Sequence, residues 1–444
     1  MALLVGGQKD EIHRCMFIKS AAESKRSKSN TIMNNVLQTY CDWLVGTEDR
    51  KPRLPDCAEG APGFSWYTIT YSLRALIGAS RTLSHAPYAD TAFRYMDAYT
   101  SEQLPQGGFT ANFRGTPTSR LTREAYHEIL RAGCVNLADN GSNVTCLVQA
   151  AGIADAARRE RYLNAARRWF DEWVPLWALT EDPAGGSSFW TGHYVPQDPA
   201  VPILREGIYG NGIWHGHKIN APYTMATCNL ATSLSVYFKA TGEAEYRRQA
   251  EACGRFLCKY WLDDGRPINL SVYPMQRREV VMDFARIFYL LEGLCWIHSV
   301  AQDADIKQQI EKRLHEWMFA PEGILSLWDG NWFTFGGTAH APLAGLEPES
   351  LRSSKIDVGF FWEMAKAAGI PYAFSYYLHH IGDAREIREK LECGMKFLCD
   401  PQRAKMIGIM SDIHESYGSH AVQATGFGGL SLLEGISPGT GFNA

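Results

Sequence analysis

From Thr31 onward apolar residues recur at helical spacing, beginning with Met33, Val36, Leu37, Tyr40 and Leu44. The chain then alternates between two kinds of helix. Five segments place a bulky residue first and further apolar residues about one, two and three turns on: Tyr88/Ala92/Met96/Tyr99, Tyr162/Ala166/Phe170/Trp173, Tyr246/Ala250/Phe256/Leu257, Ile306/Ile310/Leu314/Trp317 and Ile387/Leu391/Phe397/Leu398. Such offsets keep the side chains on one face, so each segment is predicted to be an amphipathic helix with its other face in water. Ahead of each lies a helix apolar all round: Trp66 to Leu83, Ser142 to Ala157, Tyr223 to Ala240, Val281 to Val300 and Tyr372 to Ile381. These belong inside. Links such as Thr241-Gly242-Glu243 and Gly382-Asp383 put glycine at the C-cap and join inner to outer helices as hairpins.

A sixth pair is available from Thr31 to Val45 and Ala421 to Leu433, which would close a ring. The predicted fold class is therefore all-α: an (α/α)6 toroid of helical hairpins with short β-like returns at one end. Residues 1–30 end in the polar, basic run AAESKRSKSN and are expected to be a flexible arm that stays unstructured or packs on a second copy. Residues 31–444 are expected to form one toroidal catalytic domain.

Composition narrows the function classes. The chain has 444 residues, 45% hydrophobic and 21% charged, with a formal net charge of -4, so it lacks the broad basic surface that nucleic acid demands. Eleven cysteines without a CxxC pair suit buried thiols in a reducing compartment. The opening MALLVGGQKDEIHRC has too short an apolar run for a signal peptide, and a cytoplasmic protein without a membrane partner is expected. There is no GxGxxG, Walker loop or nucleophile elbow, and no cofactor is expected.

After each outer helix comes a stretch mixing glycine, acids and aromatics: LPQGGFTANF, DPAGGSSFWTGHY, WLDDGRPINLSVY, PEGILSLWDGNWF and DPQRAKMIGIMSD. In a toroid of hairpins these returns emerge at one end and converge on the mouth of the central cavity. The richest return is Tyr209 to Asn229, YGNGIWHGHKINAPYTMATCN, with His215, His217, Trp214 and Lys218 on a glycine-punctuated loop that leads into an apolar helix.

The alternation, the returns and the long repeat resemble the six-hairpin, (α/α)6-toroid carbohydrate-active enzymes over nearly the whole chain. Within it, NLADNGSNVTCLVQAA at 136–151 and CNLATSLSVYFKATGEAEYRRQAEACGRFLCKYWLDDGRP at 228–267 are loosely similar to the unsaturated glucuronyl and rhamnogalacturonyl hydrolases. That resemblance implies glycosidic bond cleavage in a small, uronic-acid-containing oligosaccharide. It implies a catalytic aspartate ahead of an inner helix, which Asp139 matches, and a second ahead of the Asn-Leu pair, where this chain has Met225.

Asp139 is thus the candidate general acid or base, although an Asp at a helix start also suits an N-cap. His215 and His217 sit one residue apart and would point the same way on an extended segment, but no further ligand at a recognisable spacing supports a metal. Their better use is proton transfer. One histidine as base and Tyr223 as acid, with Asn220 steadying a carboxylate and Lys218 pairing with it, is the set that a resemblance to toroid-type polysaccharide lyases implies. Trp190, His193 and Tyr194, Trp214, Asn229, Trp328, Asp329 and Trp332, and His340 are expected to line the cavity, because flat rings beside short polar groups suit sugar faces and edges. Two further readings fit the same architecture: a dehydratase-isomerase on an apolar alcohol, with Cys228 in the lining, and a non-catalytic helical scaffold.

Overall fold

The computed structural model describes residues 29–56, 64–110, 113, 137–181, 186–189, 224–267, 284–321, 323–327, 367–411 and 418–438. Twelve long helices among them form two concentric rings. The outer set is α1 (29–45), α3 (Ala86–Ser101), α5 (Ala156–Arg168), α7 (Ala244–Lys259), α9 (Ala304–Phe319) and α11 (Arg385–Leu398). The inner set is α2 (Trp66–Thr82), α4 (Leu137–Ala151), α6 (Thr224–Thr241), α8 (Phe284–Val300), α10 (Ile370–His380) and α12 (Gly418–Ile436). Each inner helix packs on the next, α2 on α4, α4 on α6, and onward to α12, which packs back on α2. The ring is closed, and α2 stands opposite α8.

The predicted outer stripes are the buried ones. Tyr88, Ala92, Met96 and Tyr99 lose essentially all contact with solvent, and so do Ile306, Ile310, Leu314 and Trp317. Such burial stabilises by roughly 1.5–3 kcal/mol per large side chain. In α11 Leu391 is only half-buried while Ile387, Phe397 and Leu398 are fully buried. The α5 stripe continues through a π-helical turn at Trp169–Trp173, with Phe170 and Trp173 in the core. Gly242 takes φ +77° and its N–H bonds Phe238 O at 2.7 Å, which ends α6 and starts the turn to α7.

Neighbouring outer helices are joined by a recurring polar contact. Tyr88 OH donates to Asp42 Oδ1 at 2.6 Å, Tyr162 OH to Asp97 Oδ1 at 2.6 Å, and Tyr246 OH to Asp171 Oδ1 at 3.1 Å. Each tyrosine opens the apolar stripe of its own helix and reaches an aspartate of the hairpin before. Asp97 also takes Arg158 at 3.2 Å, and Arg161.

One return beyond an outer helix is β-like: β1 (Ala178–Glu181) pairs antiparallel with β2 (Ser187–Phe189). Another closes on itself, with an isolated bridge from Trp261 to Pro267 around Gly265 at φ +88°. No described helix is long and apolar enough to cross a membrane.

Candidate active site in the lumen

Contacts between α2 and α8 cross the lumen, because those helices face each other. They fall in two layers. In the upper layer the Tyr71 ring stacks on Phe427 of α12, with centroids 4.1 Å apart and planes 29° apart, and meets Phe288 of α8 edge-on at 5.6 Å. Phe288 and Phe427 close the triangle at 4.7 Å. One turn deeper, Arg74 Nη2 of α2 meets Glu292 Oε1 of α8 at 2.5 Å. Arg74 Nε donates to Gln149 Oε1 of α4 at 2.9 Å, and Tyr71 OH to Glu292 Oε2 at 3.1 Å. The two layers seal the middle of the ring.

Electrostatics in the lower layer follow from burial. Desolvation works to deprotonate Arg74, but the Glu292 carboxylate more than reverses it and holds the guanidinium firmly charged. Burial, and then Glu292, push the Tyr71 hydroxyl well above the usual phenol range, so it is a donor and not a base. Burial does the same to Tyr372 on α10.

Above the aromatic layer lies the end from which the inner helices start, and Asp139 is there. The positions Asp139, Ser142, Cys146 and Gln149 alternate three and four residues apart and form one stripe of α4. Gln149 accepts from Arg74, and Ser142 stands close enough to the Tyr71 hydroxyl to lower its pKa, so this stripe faces the lumen. Asp139 is its outermost member, half-buried, one turn above the aromatic layer. The sequence places the helix start beyond Asp139, at Ser142, whereas α4 has begun by Leu137 and Asp139 sits in its first turn. Gly141 is a close-packing point: a Cβ there would stand 2.7 Å from Asn229 C.

The turn that carries Asp139 is fixed on both sides. Asn229 Nδ2 of α6 donates to Ala138 O at 2.8 Å. Thr70 Oγ1 of α2 donates to Asn143 Oδ1 at 2.5 Å, Tyr99 OH to Asn140 Oδ1 at 2.8 Å, and Asn140 Nδ2 to Phe109 O at 2.8 Å. Asn229, expected to touch substrate, thus has its amide nitrogen engaged in holding α4. Met225 is the second residue of α6, at the same end as Asp139 on the neighbouring inner helix.

The remaining sequence candidates, Trp190, His193, Tyr194, Trp214, His215, His217, Lys218, Asn220, Tyr223, Trp328, Asp329, Trp332 and His340, lie outside the described residues. Asp264, at the tip of a return, is clamped by Arg266 at 2.6 Å and serves its turn. Arg74, Gln149, Glu292 and Gln423 were not marked by sequence. The available signal was a charge or amide inside a helix otherwise apolar all round, as in WYTITYSLRALIGASRT and FARIFYLLEGLCWIHSV.

No protein-family model matches the sequence, and no curated protein matches it. Solved structures share the fold. A sugar epimerase from a ruminal bacterium is 14% identical, with a TM-score of 0.53 over 84% of this chain and 86% of its own. A family 76 glycoside hydrolase from a bovine Bacteroides thetaiotaomicron strain is 12% identical, with a TM-score of 0.52 over 91% and 77%. A possible member of the GH105 family from Salmonella enterica serovar Paratyphi A is 11% identical, with a TM-score of 0.50 over 93% and 94%. At these identities the likeness shows the fold, a six-hairpin toroid, which agrees with the closed inner ring.

Proposed function

We propose that this protein is a carbohydrate-active enzyme that cleaves a glycosidic bond in a small oligosaccharide, one bearing a uronic acid, with Asp139 as general acid or base. The observation that carries this reading is the placement of Asp139: a half-buried carboxylate at the outer end of the lumen stripe, above a buried aromatic layer, on a turn braced by Asn229 and by the Thr70–Asn143 bond. A carboxyl group so held would deliver a proton to the leaving glycosidic oxygen without first reorganising. A family 76 glycoside hydrolase, a possible member of the GH105 family and a sugar epimerase on the same fold support a sugar as the ligand class. The partner is then a small molecule bound at the mouth, and neither nucleic acid nor membrane is involved.

Met225 favours a second reading. A hydrolase of the resembling kind places an acid there, and this chain supplies a thioether. Elimination needs no second carboxylate: His215 or His217 would take the proton beside the uronate, Tyr223 would protonate the leaving oxygen, and Lys218 with Asn220 would hold the carboxylate.

Incubation with saturated and with unsaturated uronyl oligosaccharides, followed at the absorbance of the conjugated enoate, separates the readings. Loss of absorbance on the unsaturated substrate is hydrolysis, and gain on the saturated one is elimination. No change on either, with no product on a neutral oligosaccharide panel, would remove bond cleavage.

A further inference from the structure

We infer that His420 is a further catalytic residue, the general base that works opposite Asp139 at the mouth of the lumen. The inference rests on the hydrolytic reading above and deepens it, because it supplies the second proton-transfer group that Met225 does not.

Three lumen stripes end at one height. On α2 the stripe runs Tyr67, Tyr71, Arg74; on α4 it runs Asp139, Ser142, Cys146; on α12 it runs His420, Gln423, Phe427, with spacings of three and four throughout. The seams fix their register. Thr70 bonds Asn143, which sets Asp139 level with the Trp66–Tyr67 step of α2. A Cβ on Gly426 would meet Ser72, and one on Gly429 would meet Ala75, which sets His420 level with that same step. Tyr67 therefore stands between Asp139 and His420 on the lumen wall.

Exposure changes at this height. Tyr67, Asp139 and His420 are each half-buried, whereas Tyr71, Ser142 and Gln423, the next residues down the three stripes, are buried. The outermost residues keep accessible surface that those beneath have lost, so a substrate reaches the rim and not the aromatic layer. Helices α4 and α12 both pack on α2 and are next but one in the ring; with neighbours about 8–10 Å apart, their axes are roughly 15 Å apart. Side chains reaching inward from both narrow that span toward the separation of acid and base in an inverting cleavage, about 6.5–9.5 Å, which leaves room for a water beside the scissile bond.

Ordinary acidities divide the roles. A phenol holds its proton at neutral pH and a thioether has none, whereas an imidazole can accept one, so His420 and not Tyr67 or Met225 is the base. Asp139 gives its proton to the glycosidic oxygen as the C–O bond breaks. His420 takes a proton from the water whose oxygen bonds to the anomeric carbon. One water is consumed, each half leaves with a hydroxyl, and solvent carries the proton from the imidazolium back to the carboxylate. The Tyr67 ring forms the wall between the two groups.

The test measures kcat, KM and melting temperature of the full chain on saturated and unsaturated uronyl disaccharides and on neutral disaccharides, for wild type, His420→Ala, His420→Gln and Asp139→Asn. Both His420 variants are expected to melt near wild type and to lose about a hundredfold or more in kcat with KM little changed. Imidazole added to the medium should raise turnover of His420→Ala at least tenfold and leave Asp139→Asn where it was. Wild-type turnover in a folded His420 variant, or a loss that imidazole does not relieve, would overturn the role. Carbethoxylation of wild-type imidazoles, mapped by peptide mass spectrometry, needs no substitution: His420 should react, and an inert His420 would overturn its access to the lumen. Gain of enoate absorbance on the saturated substrate would mean elimination and remove the water that His420 is said to activate. If no substrate turns over, the hydrolytic reading fails and this inference with it, a result distinct from hydrolysis that is indifferent to His420.

Discussion

Arg74 and Glu292 are 218 residues apart in the chain and meet across the middle of the ring at 2.5 Å, both side chains almost wholly buried. The pair joins opposite helices and so braces the toroid through its centre. Removing one charge strands the other. Glu292→Gln is expected to cost about 3–5 kcal/mol of unfolding free energy, whereas the double replacement Arg74→Met/Glu292→Met should recover most of that loss. Urea denaturation of the three proteins checks this, and a double variant no better than the single would show that the ion pair is not the source.

The outer ring predicts a second pattern. Tyr162→Phe deletes the hydroxyl bonded to Asp97, and Tyr246→Phe the one bonded to Asp171. Each should cost about 1–2 kcal/mol, since the acceptor is a carboxylate. A double-mutant cycle of Tyr162→Phe with Asp97→Asn should return a coupling of about 1 kcal/mol. Ile306 and Ile387 hold the corresponding stripe positions in α9 and α11, have no hydroxyl, and should tolerate Val at about 1 kcal/mol with no such coupling.

Close approach of the inner helices sets a third. A Cβ on Gly426 would fall onto the backbone of Tyr71 and Ser72, which cannot give way as a side-chain tip can. Gly426→Ala is expected to destabilise by about 1–3 kcal/mol or more and to open the α2–α12 seam, the point where the ring closes. Circular dichroism melts of Gly426→Ala against wild type test it.

Buried thiols give a pH dependence with a definite sign. Burial pushes Cys146, Cys253 and Cys258 each from 9.0 up to about 12. Between those values the unfolded chain sheds thiol protons that the folded chain keeps, so this contribution is fully present below pH 9 and is lost as pH rises toward 12. Lys239 acts in the opposite sense, its pKa lowered by burial from 10.5 to about 8. It penalises the folded state below pH 8 and the penalty fades toward pH 10.5. Denaturation under reducing conditions at several alkaline pH values should show Cys146→Ala falling less steeply than wild type. Lys239→Met should gain on wild type, on the order of 1 kcal/mol, most clearly at neutral pH.

The ring was legible because periodicity reports which face of each helix is buried: Tyr88, Tyr162, Tyr246, Ile306 and Ile387 are buried as read, and of the stripes they open Leu391 alone is half-buried. Asp139 was legible as a carboxylate next to an inner helix, but its place inside the first turn was not. The sequence reading starts that helix at Ser142, and the close approach of the Asn229 backbone shows why a glycine stands at 141 within it. Arg74, Glu292 and Gln423 were hidden because their partners, or their lack of one, depend on helices far apart in the chain. The aspartate that each stripe tyrosine reaches was hidden for the same reason.

The central claim is that Asp139 moves the proton that breaks the glycosidic bond. The direct measurement is kcat for Asp139→Asn on whichever uronyl oligosaccharide the wild type turns over, with the melting temperature recorded beside it. The expected result is a fall of roughly a hundredfold or more in kcat with KM and melting temperature little changed, because the amide keeps the shape of the carboxyl and cannot exchange a proton. Turnover at the wild-type rate in a folded Asp139→Asn protein would contradict the account and move the chemistry to His215, His217 and Tyr223.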